Sequence, residues 1–185
     1  ALLGELLYLC TVNDKKQRFM QHYLQTIQES MRRNWDRVAI TDFGGTVEYT
    51  HQQLAQKVAW LTLLFERMGI RAGDKIAICG RNCCNWGVAY LAVCAYRGIA
   101  VSVLPEFTSE SIHELVNHSE ARVLFVGPWV KGRIELDKMP NVDVFIAIED
   151  LQVMQSKTTV SSEEIDALYA ERYPNGMMPE DWSLP

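Results

Sequence analysis

The 185-residue sequence has little of what marks unusual classes of protein. Only 11 glycines and 6 prolines are present, and 48% of the residues are apolar, which excludes collagen-like repeats and intrinsic disorder. No apolar run approaches the roughly 20 residues that a membrane-spanning helix needs. A basic cluster is also missing. The 18 Lys and Arg residues against 23 Asp and Glu give a net charge of −5, which argues against nucleic-acid binding.

Cysteine is scarce and badly placed for a disulfide framework. Five cysteines cannot all pair, and Cys79 and Cys94 lie in apolar runs typical of small buried hydrophobic residues. The alternative is a metal cluster of Cys79, Cys83 and Cys84, but its spacing matches no standard zinc motif. The cysteines therefore favour reduced thiols in a cytoplasmic protein without metal ligands.

The apolar first ten residues do not have the pattern of a secretory signal. They lack a basic start, include Glu5 and are not followed by a small-residue cleavage site. We interpret residues 1–19 as an N-terminal extension or the start of a helix. Regular periodicities cover residues 20–172, which predicts one α/β unit, and scattered Pro and Gly residues predict an irregular tail over 173–185.

Helix and strand periodicities alternate along the chain. The predicted helices cover residues 15–33, 51–68, 85–97, 108–119 and a segment opening at Ser161. The predicted strands cover residues 38–42, 47–49, 75–79, 100–104, 123–126 and 144–148. The first two strands flank Gly44-Gly45 and predict a small antiparallel hairpin. The later strands are apolar on both sides and alternate with helices, so we expect an open, mainly parallel sheet with helices on both faces.

Several residues have specific predicted roles within these helices. Thr50 with Gln53, and Ser161 with Glu164, have the spacing of capping boxes. Asn85 is predicted to cap the helix that it opens.

In the helix over 108–119, the inward-facing residues are predicted to be Ile112, Leu115 and Val116.

The candidate ligand-binding residues follow the first strand of the predicted parallel sheet. Ligands of open parallel sheets bind beyond the carboxyl ends of the strands, which are here the loops 80–85, 104–108 and 127–129. The first loop leads into a helix N-terminus, which favours anions, so Arg81 and Asn82 are the candidates. A solvated charge or a packing partner is the alternative for Arg81.

The sequence contains no complete catalytic site. It has no G-x-G-x-x-G, no G-x-x-x-x-G-K-[ST] and no G-x-S-x-G. His113 and His118 are separated by about 140° around a helix and cannot share a metal ion. Glu110 and Glu114 share a helix face, but such pairs are usually solvated. We therefore predict no catalytic residue and no metal ligand.

Four segments of the chain carry motifs in a fixed order. They are Thr46–Leu54 (T-Y-x-E-L), Met68–Ile78 (G-I-x-x-G-D-x-V-A-I), residues 82–101 (N-x-x-x-W, L-A, G-A-V) and Ser119–Phe125 (S-E-A-K-V-L-F). Together they resemble the adenylate-forming (AMP-binding) superfamily over residues 20–185. The run from residue 106 to 119 is most similar to the bacterial long-chain fatty acid–CoA ligases.

The resemblance implies a two-step reaction for the parent enzyme. A fatty acid is activated by ATP to an acyl-adenylate, with Mg²⁺ offsetting the phosphate charge, and the thiol of CoA then attacks the adenylate. In that family a Ser/Thr/Gly-rich loop ending in Lys grips the phosphates, and a mobile C-terminal domain brings a second Lys. This sequence contains neither feature, so no catalytic residue is carried over to it.

The resemblance therefore implies the first α/β subdomain of such a ligase, inactive alone and without a tightly bound cofactor. The parent enzyme is expected to be cytoplasmic or peripheral to a membrane. It is expected not to bind nucleic acid and not to span a bilayer. An apolar face left uncovered would favour self-association. A stand-alone Rossmann-like nucleotide-binding module, or an interaction module, is the alternative hypothesis.

Overall fold

The computed structural model describes residues 23–184, in which helices and strands alternate as predicted. The helices are α1 (Tyr23–Arg33), α2 (His51–Arg67), α3 (Cys84–Ala95), α4 (Ser109–Ser119) and α5 (Ser162–Arg172). The strands are β1 (Val38–Thr41), β2 (Glu48–Thr50), β3 (Lys75–Cys79), β4 (Ile99–Val103), β5 (Val123–Val126), β6 (Val144–Ala147) and β7 (Val153–Ser156). The proposed extension, and residues 15–22 of the first predicted helix, lie outside the described residues.

The central sheet has five strands in the order β4-β3-β5-β6-β7. The first four are parallel to their neighbours, and β7 runs antiparallel to β6 at one edge. β1 and β2 form a separate antiparallel hairpin. The predicted α/β class, with a mainly parallel sheet and a small hairpin, is confirmed. Strand β7 was not predicted, because its four residues include Gln155 and Ser156 and show no apolar run.

Helices cover both faces of the sheet, as the doubly apolar strands predicted. Alternate residues of β3 point to opposite sides: Ile76 and Ile78 pack into one core with α1, α2, α3 and α5. Ala77 and Cys79 pack into a second core with α4 and with the segment 130–142. Every one of these β3 side chains is fully buried.

At the helix N-termini, the predicted capping box of Thr50 and Gln53 is confirmed, whereas the predicted cap at Asn85 is not. Thr50 and Gln53 form the predicted capping box in both directions. The side chain of Ser161 accepts a hydrogen bond from the backbone N–H of Glu164 at 3.3 Å. The prediction that Asn85 caps its helix is wrong, because α3 begins one residue earlier and Cys83 holds the cap position. The Asn85 side chain is instead buried and forms long-range hydrogen bonds.

Two side chains predicted to be buried lie further out. Leu115 is 42% exposed, because α4 turns His113 toward the core instead. The Nε2 atom of His113 accepts a hydrogen bond from the backbone N–H of Glu135 at 3.1 Å, which fixes that rotation of the helix. Cys94 is only partly buried, since it lies one turn after the exposed Tyr90 on the outer side of α3.

The last described residues contain no helix or strand, yet they pack against α1. Trp182 and Leu184 are buried in the larger core. Arg32 donates a hydrogen bond from Nε to the carbonyl of Trp182 at 2.8 Å. The backbone N–H of Leu184 donates to Oε1 of Gln28 at 2.6 Å. The two ends of the described chain are therefore fastened to each other.

Candidate functional site

Three loops meet at the carboxyl edge of the sheet, one after each of β3, β4 and β5. Arg81 in the first loop lies with its guanidinium carbon 4.4 Å from the centre of the Trp129 ring in the third. Its Nε lies 3.5 Å from Oε1 of Glu106 in the second. Each of these side chains is about 60% exposed. The predicted candidate Arg81 therefore stands where the three predicted loops converge.

Asn82, the second predicted candidate, lies exposed next to Arg81 in the same loop. Its side chain makes no hydrogen bond to any residue between 23 and 184. Its amide group is therefore exposed and can contact a ligand that approaches this loop.

Two glycines allow the first and third loops to approach each other. The backbone N–H of Gly127 donates to the carbonyl of Cys79 at 2.9 Å. A Cβ atom on Gly127 would lie 2.9 Å from the Cα of Gly80, a backbone atom that cannot move aside. A Cβ on Gly80 would lie 2.5 Å from Cδ1 of Ile148. The close contact between the ends of β3 and β5 therefore requires glycine at position 127, whereas a Cβ at position 80 would chiefly displace the Ile148 side chain.

Arg133 fixes the second loop against the third. Its guanidinium donates to the carbonyl of Pro105 at 3.1 Å, to that of Phe107 at 2.6 Å and to that of Trp129 at 3.2 Å. The role of Arg133 was not predicted from the sequence. Its partners are backbone carbonyl groups, which every residue has, so no residue type marks them. Arg133 thus positions the loop that holds Glu106.

Asn85 connects the hairpin to the loop that follows β6. Its Oδ1 accepts a hydrogen bond from the hydroxyl of Tyr49 at 2.8 Å. Its Nδ2 donates to the carbonyls of Ile148 and Glu149 at 2.8 and 2.9 Å. The side chain is 6% exposed, so one buried amide joins β2, α3 and the carboxyl end of β6.

A pocket lies at the same edge of the sheet, between α2, α5 and the loop after β6. It has a volume of about 300 Å³ and is lined by Gln56, Lys57, Trp60, Asp150, Leu151, Gln152, Asp166 and Tyr169. No local pattern in the sequence predicts this pocket, because its residues come from three distant segments.

Charged and aromatic groups are paired in this pocket and next to it. The Nζ of Lys57 lies 4.7 Å above the centre of the Tyr49 ring, and burial lowers the pKa of this lysine while Asp150 opposes the shift. The indole N–H of Trp60 donates to Asp166 at 2.7 Å. The hydroxyl of Tyr169 is buried without a hydrogen-bond partner in the described chain, and burial raises its pKa to about 12.

The two buried thiols at this edge of the sheet, Cys79 and Cys84, are not activated as nucleophiles. Burial raises the pKa of the Cys79 thiol to about 11 and that of Cys84 to about 12. Both thiols are therefore protonated, and poor nucleophiles, at neutral pH. Within residues 23–184 no three His, Cys, Asp or Glu side chains gather as a metal site requires. No helix in that range has the length and apolarity needed to cross a membrane.

Comparison with known families identifies the chain. Residues 27–181 match the family model described as AMP-binding enzyme. The chain belongs to the AMP-binding enzyme family. This match confirms the predicted resemblance over most of residues 20–185, and all four motifs lie within it.

Two curated proteins are similar to the chain. The medium-chain fatty-acid–CoA ligase of Escherichia coli (strain K12) is 23% identical over 141 residues, in a match that covers 72% of this chain and 25% of the relative. The long chain acyl-CoA synthetase 1 of Arabidopsis thaliana is 26% identical over 104 residues, which are 56% of this chain and 16% of the relative. The chain therefore spans about a quarter or less of the length of these two relatives.

A solved structure shows the same fold. The long-chain-fatty-acid-CoA ligase FadD1 from Archaeoglobus fulgidus superposes with a TM-score of 0.60 at 16% identity. The superposition covers 85% of this chain and 29% of that one. The fold of residues 23–184 is therefore that of one part of an AMP-binding enzyme.

Proposed function

We propose that this chain is the first α/β subdomain of an ATP-dependent, AMP-forming fatty acid–CoA ligase. In the parent reaction a fatty-acid carboxylate attacks the α-phosphorus of ATP and releases pyrophosphate. The CoA sulfur then attacks the acyl carbon, and AMP leaves with the electron pair of the broken C–O bond. The supporting observation is the family match over residues 27–181, together with two relatives whose names specify fatty-acid or acyl-CoA chemistry.

The subdomain contributes binding surface rather than reacting groups. Its carboxyl-edge loops present Arg81, which holds Glu106 across an exposed ion pair. Exposed pairs of this kind contribute only about 0–1 kcal/mol, so a phosphate group can displace the carboxylate at small cost. We assign Arg81 and Asn82 to contact a phosphate of ATP or CoA in the parent enzyme. The Trp129 ring below the guanidinium keeps Arg81 in place during that exchange.

The chain by itself is expected to be inactive. The thiols at this edge are protonated at neutral pH, as their raised pKa values show. Mg²⁺ is usually held by substrate phosphates and only one or two carboxylates, so we place it with ATP. ATP, CoA and Mg²⁺ are therefore assigned to the parent enzyme, in which the remaining polypeptide completes the site.

Fatty-acid-dependent exchange between ATP and pyrophosphate tests the proposal. We expect exchange with medium- or long-chain fatty acids from the full gene product, and none from residues 1–185 alone. Exchange by the 185-residue chain alone would overturn its assignment as an inactive part. Exchange with aryl or amino acids, but with no fatty acid, would overturn the substrate class. Saturable ATP binding by the 185-residue chain, without exchange in either protein, would favour the nucleotide-binding module instead.

Substitution of Arg81 tests the assigned contact in the full gene product. We expect Arg81→Ala to raise the KM for ATP or CoA about tenfold, which corresponds to about 1.4 kcal/mol of lost binding. Arg71→Ala is the matched control, because Arg71 is also an exposed arginine but precedes β3 at the opposite edge of the sheet. Equal effects of the two substitutions would contradict the assignment.

A further inference from the structure

Strand β4 is an edge strand with unpaired backbone groups and apolar surroundings. It pairs with β3 on one side only. Its sequence, Ile-Ala-Val-Ser-Val, contains no charge and no proline. Around it lie four exposed apolar side chains, Ile99, Leu104, Phe107 and Leu115, which we call the β4 edge patch. Natural proteins usually protect such an edge with charged residues, proline or a covering segment.

The hydrogen-bonding groups that β4 leaves open can be assigned from its ladder. The N–H of Ile99 donates to the carbonyl of Asp74 at 2.9 Å, so Ile99 faces β3 with its backbone groups. In a parallel ladder alternate residues face the same neighbour, which directs Val101 and Val103 to β3 as well. Ala100 and Ser102 therefore point their N–H and C=O groups outward, where residues 23–184 offer them no partner.

These open groups match a second copy of the same edge. If two β4 strands lie antiparallel about a two-fold axis at Val101, Ala100 of each copy stands opposite Ser102 of the other. Each such pair exchanges two hydrogen bonds. The two pairs therefore form four hydrogen bonds, which use all four outward N–H groups and all four outward carbonyls of the two strands. The apolar patches on the two copies then also come together.

Charge supports the same arrangement. Arg97 lies two residues before β4 and forms no ion pair within the described chain. Glu106 lies three residues after β4 and is 61% exposed in its pair with Arg81 at 3.5 Å, so its carboxylate can contact a second arginine as well. An antiparallel pair brings Arg97 of one copy toward Glu106 of the other at both ends of the interface. Strand β7, the other outer strand of the sheet, is less suited to pairing with a second copy. The N–H of its first residue, Val153, already donates to the hydroxyl of Ser162 at 2.9 Å.

We propose that two copies of this chain associate through their β4 edges and form one continuous ten-stranded sheet. The inference goes beyond the proposed function and stands independently of it, because it concerns assembly and not catalysis. The strand that pairs with β4 belongs to a second copy of the chain. If another part of a longer gene product supplies that strand instead, the proposal is wrong.

The mass of the 185-residue chain in solution, measured by light scattering after size exclusion, tests this. We expect twice the 21.1 kDa of one chain at high concentration and one copy on dilution. Ser102→Pro removes one outward N–H without removing a bond to β3, so we expect it to yield monomers. Ser102→Ala, the matched control, keeps the backbone N–H and should remain dimeric. A monomer at all concentrations, or a dimer unaffected by Ser102→Pro, would overturn the proposal.

Hydrogen exchange keeps the test decisive if the proline variant does not fold, which far-UV circular dichroism would reveal. In the unmodified chain we expect the amides of Ala100 and Ser102 to exchange about tenfold more slowly in the dimer than in the diluted monomer. Exchange independent of concentration would overturn the proposal. Protection of the same amides in a monomeric full gene product would show that its own polypeptide covers the edge, which also overturns it.

Discussion

Replacing Asn85 with alanine tests how the carboxyl edge of the sheet is held together. The substitution removes the hydrogen bonds to the Tyr49 hydroxyl and to the carbonyls of Ile148 and Glu149. Ile148 is 2% exposed, so its carbonyl loses a partner in a place that water reaches poorly. Tyr49 is only partly buried and Glu149 is exposed, so their groups can be hydrated again.

The expected loss of stability follows from that difference. An unsatisfied buried carbonyl costs about 1–3 kcal/mol, and each of the two exchangeable hydrogen bonds contributes about 0.5–1.5 kcal/mol. Asn85→Ala should therefore lower the free energy of unfolding by about 4 kcal/mol. For a chain of this length, that corresponds to a fall in Tm of roughly 8–16 °C.

Urea unfolding of the 185-residue chain, followed by circular dichroism, measures this change. Asn82→Ala is the matched control, because Asn82 is an exposed asparagine three residues away and should change stability by less than about 0.5 kcal/mol. Tyr49→Phe, alone and combined with Asn85→Ala, isolates the Tyr49–Asn85 bond. If Asn85→Ala is no more destabilising than Asn82→Ala, the argument that this amide holds the edge together is refuted.

Two further predictions concern the same edge. Gly127→Ala should lower the free energy of unfolding by about 1–3 kcal/mol, because the new Cβ would lie 2.9 Å from a backbone atom. Gly87→Ala is the control: this position inside α3 has open space around it, so the substitution should not lower the stability of the fold. Equal Tm values for the two variants would contradict the packing argument. Burial raises the pKa of Cys79 to about 11 and of Cys84 to about 12 from 9.0, so above pH 9 the unfolded chain loses these protons first. The free energy of unfolding should therefore fall as the pH rises from 9 toward 11. A variant with both cysteines replaced by alanine should show a smaller fall. An equal fall in the two proteins would contradict the view that burial raises the pKa of these thiols.

The sequence predicts the strands of this fold well where burial on both faces leaves a continuous apolar run. β3, β5 and β6 have such runs and were predicted to within a residue. β7 covers only one edge and carries polar residues, so its pairing with β6 decides its structure and no local pattern shows it. Long-range pairing, rather than propensity, forms that strand.

The site was predictable in position but not in contacts. The topology of parallel strands places loops 80–85, 104–108 and 127–129 at one edge, and the structure brings Arg81, Glu106 and Trp129 together there. Asn85 shows the limit: its type and position suggest a helix cap, but its side chain binds groups 36 and 63 residues away. Contacts over such separations depend on the assembled fold and leave no local pattern.

The fastening of the last described residues to α1 has a consequence for how this unit joins a larger protein. Trp182 and Leu184 contact Arg32 and Gln28 across about 150 residues of sequence. α1 and the last described residues therefore lie side by side. A unit whose ends lie close together can be joined to a neighbouring domain at one place, and units joined in this way move relative to each other unless a large apolar interface holds them.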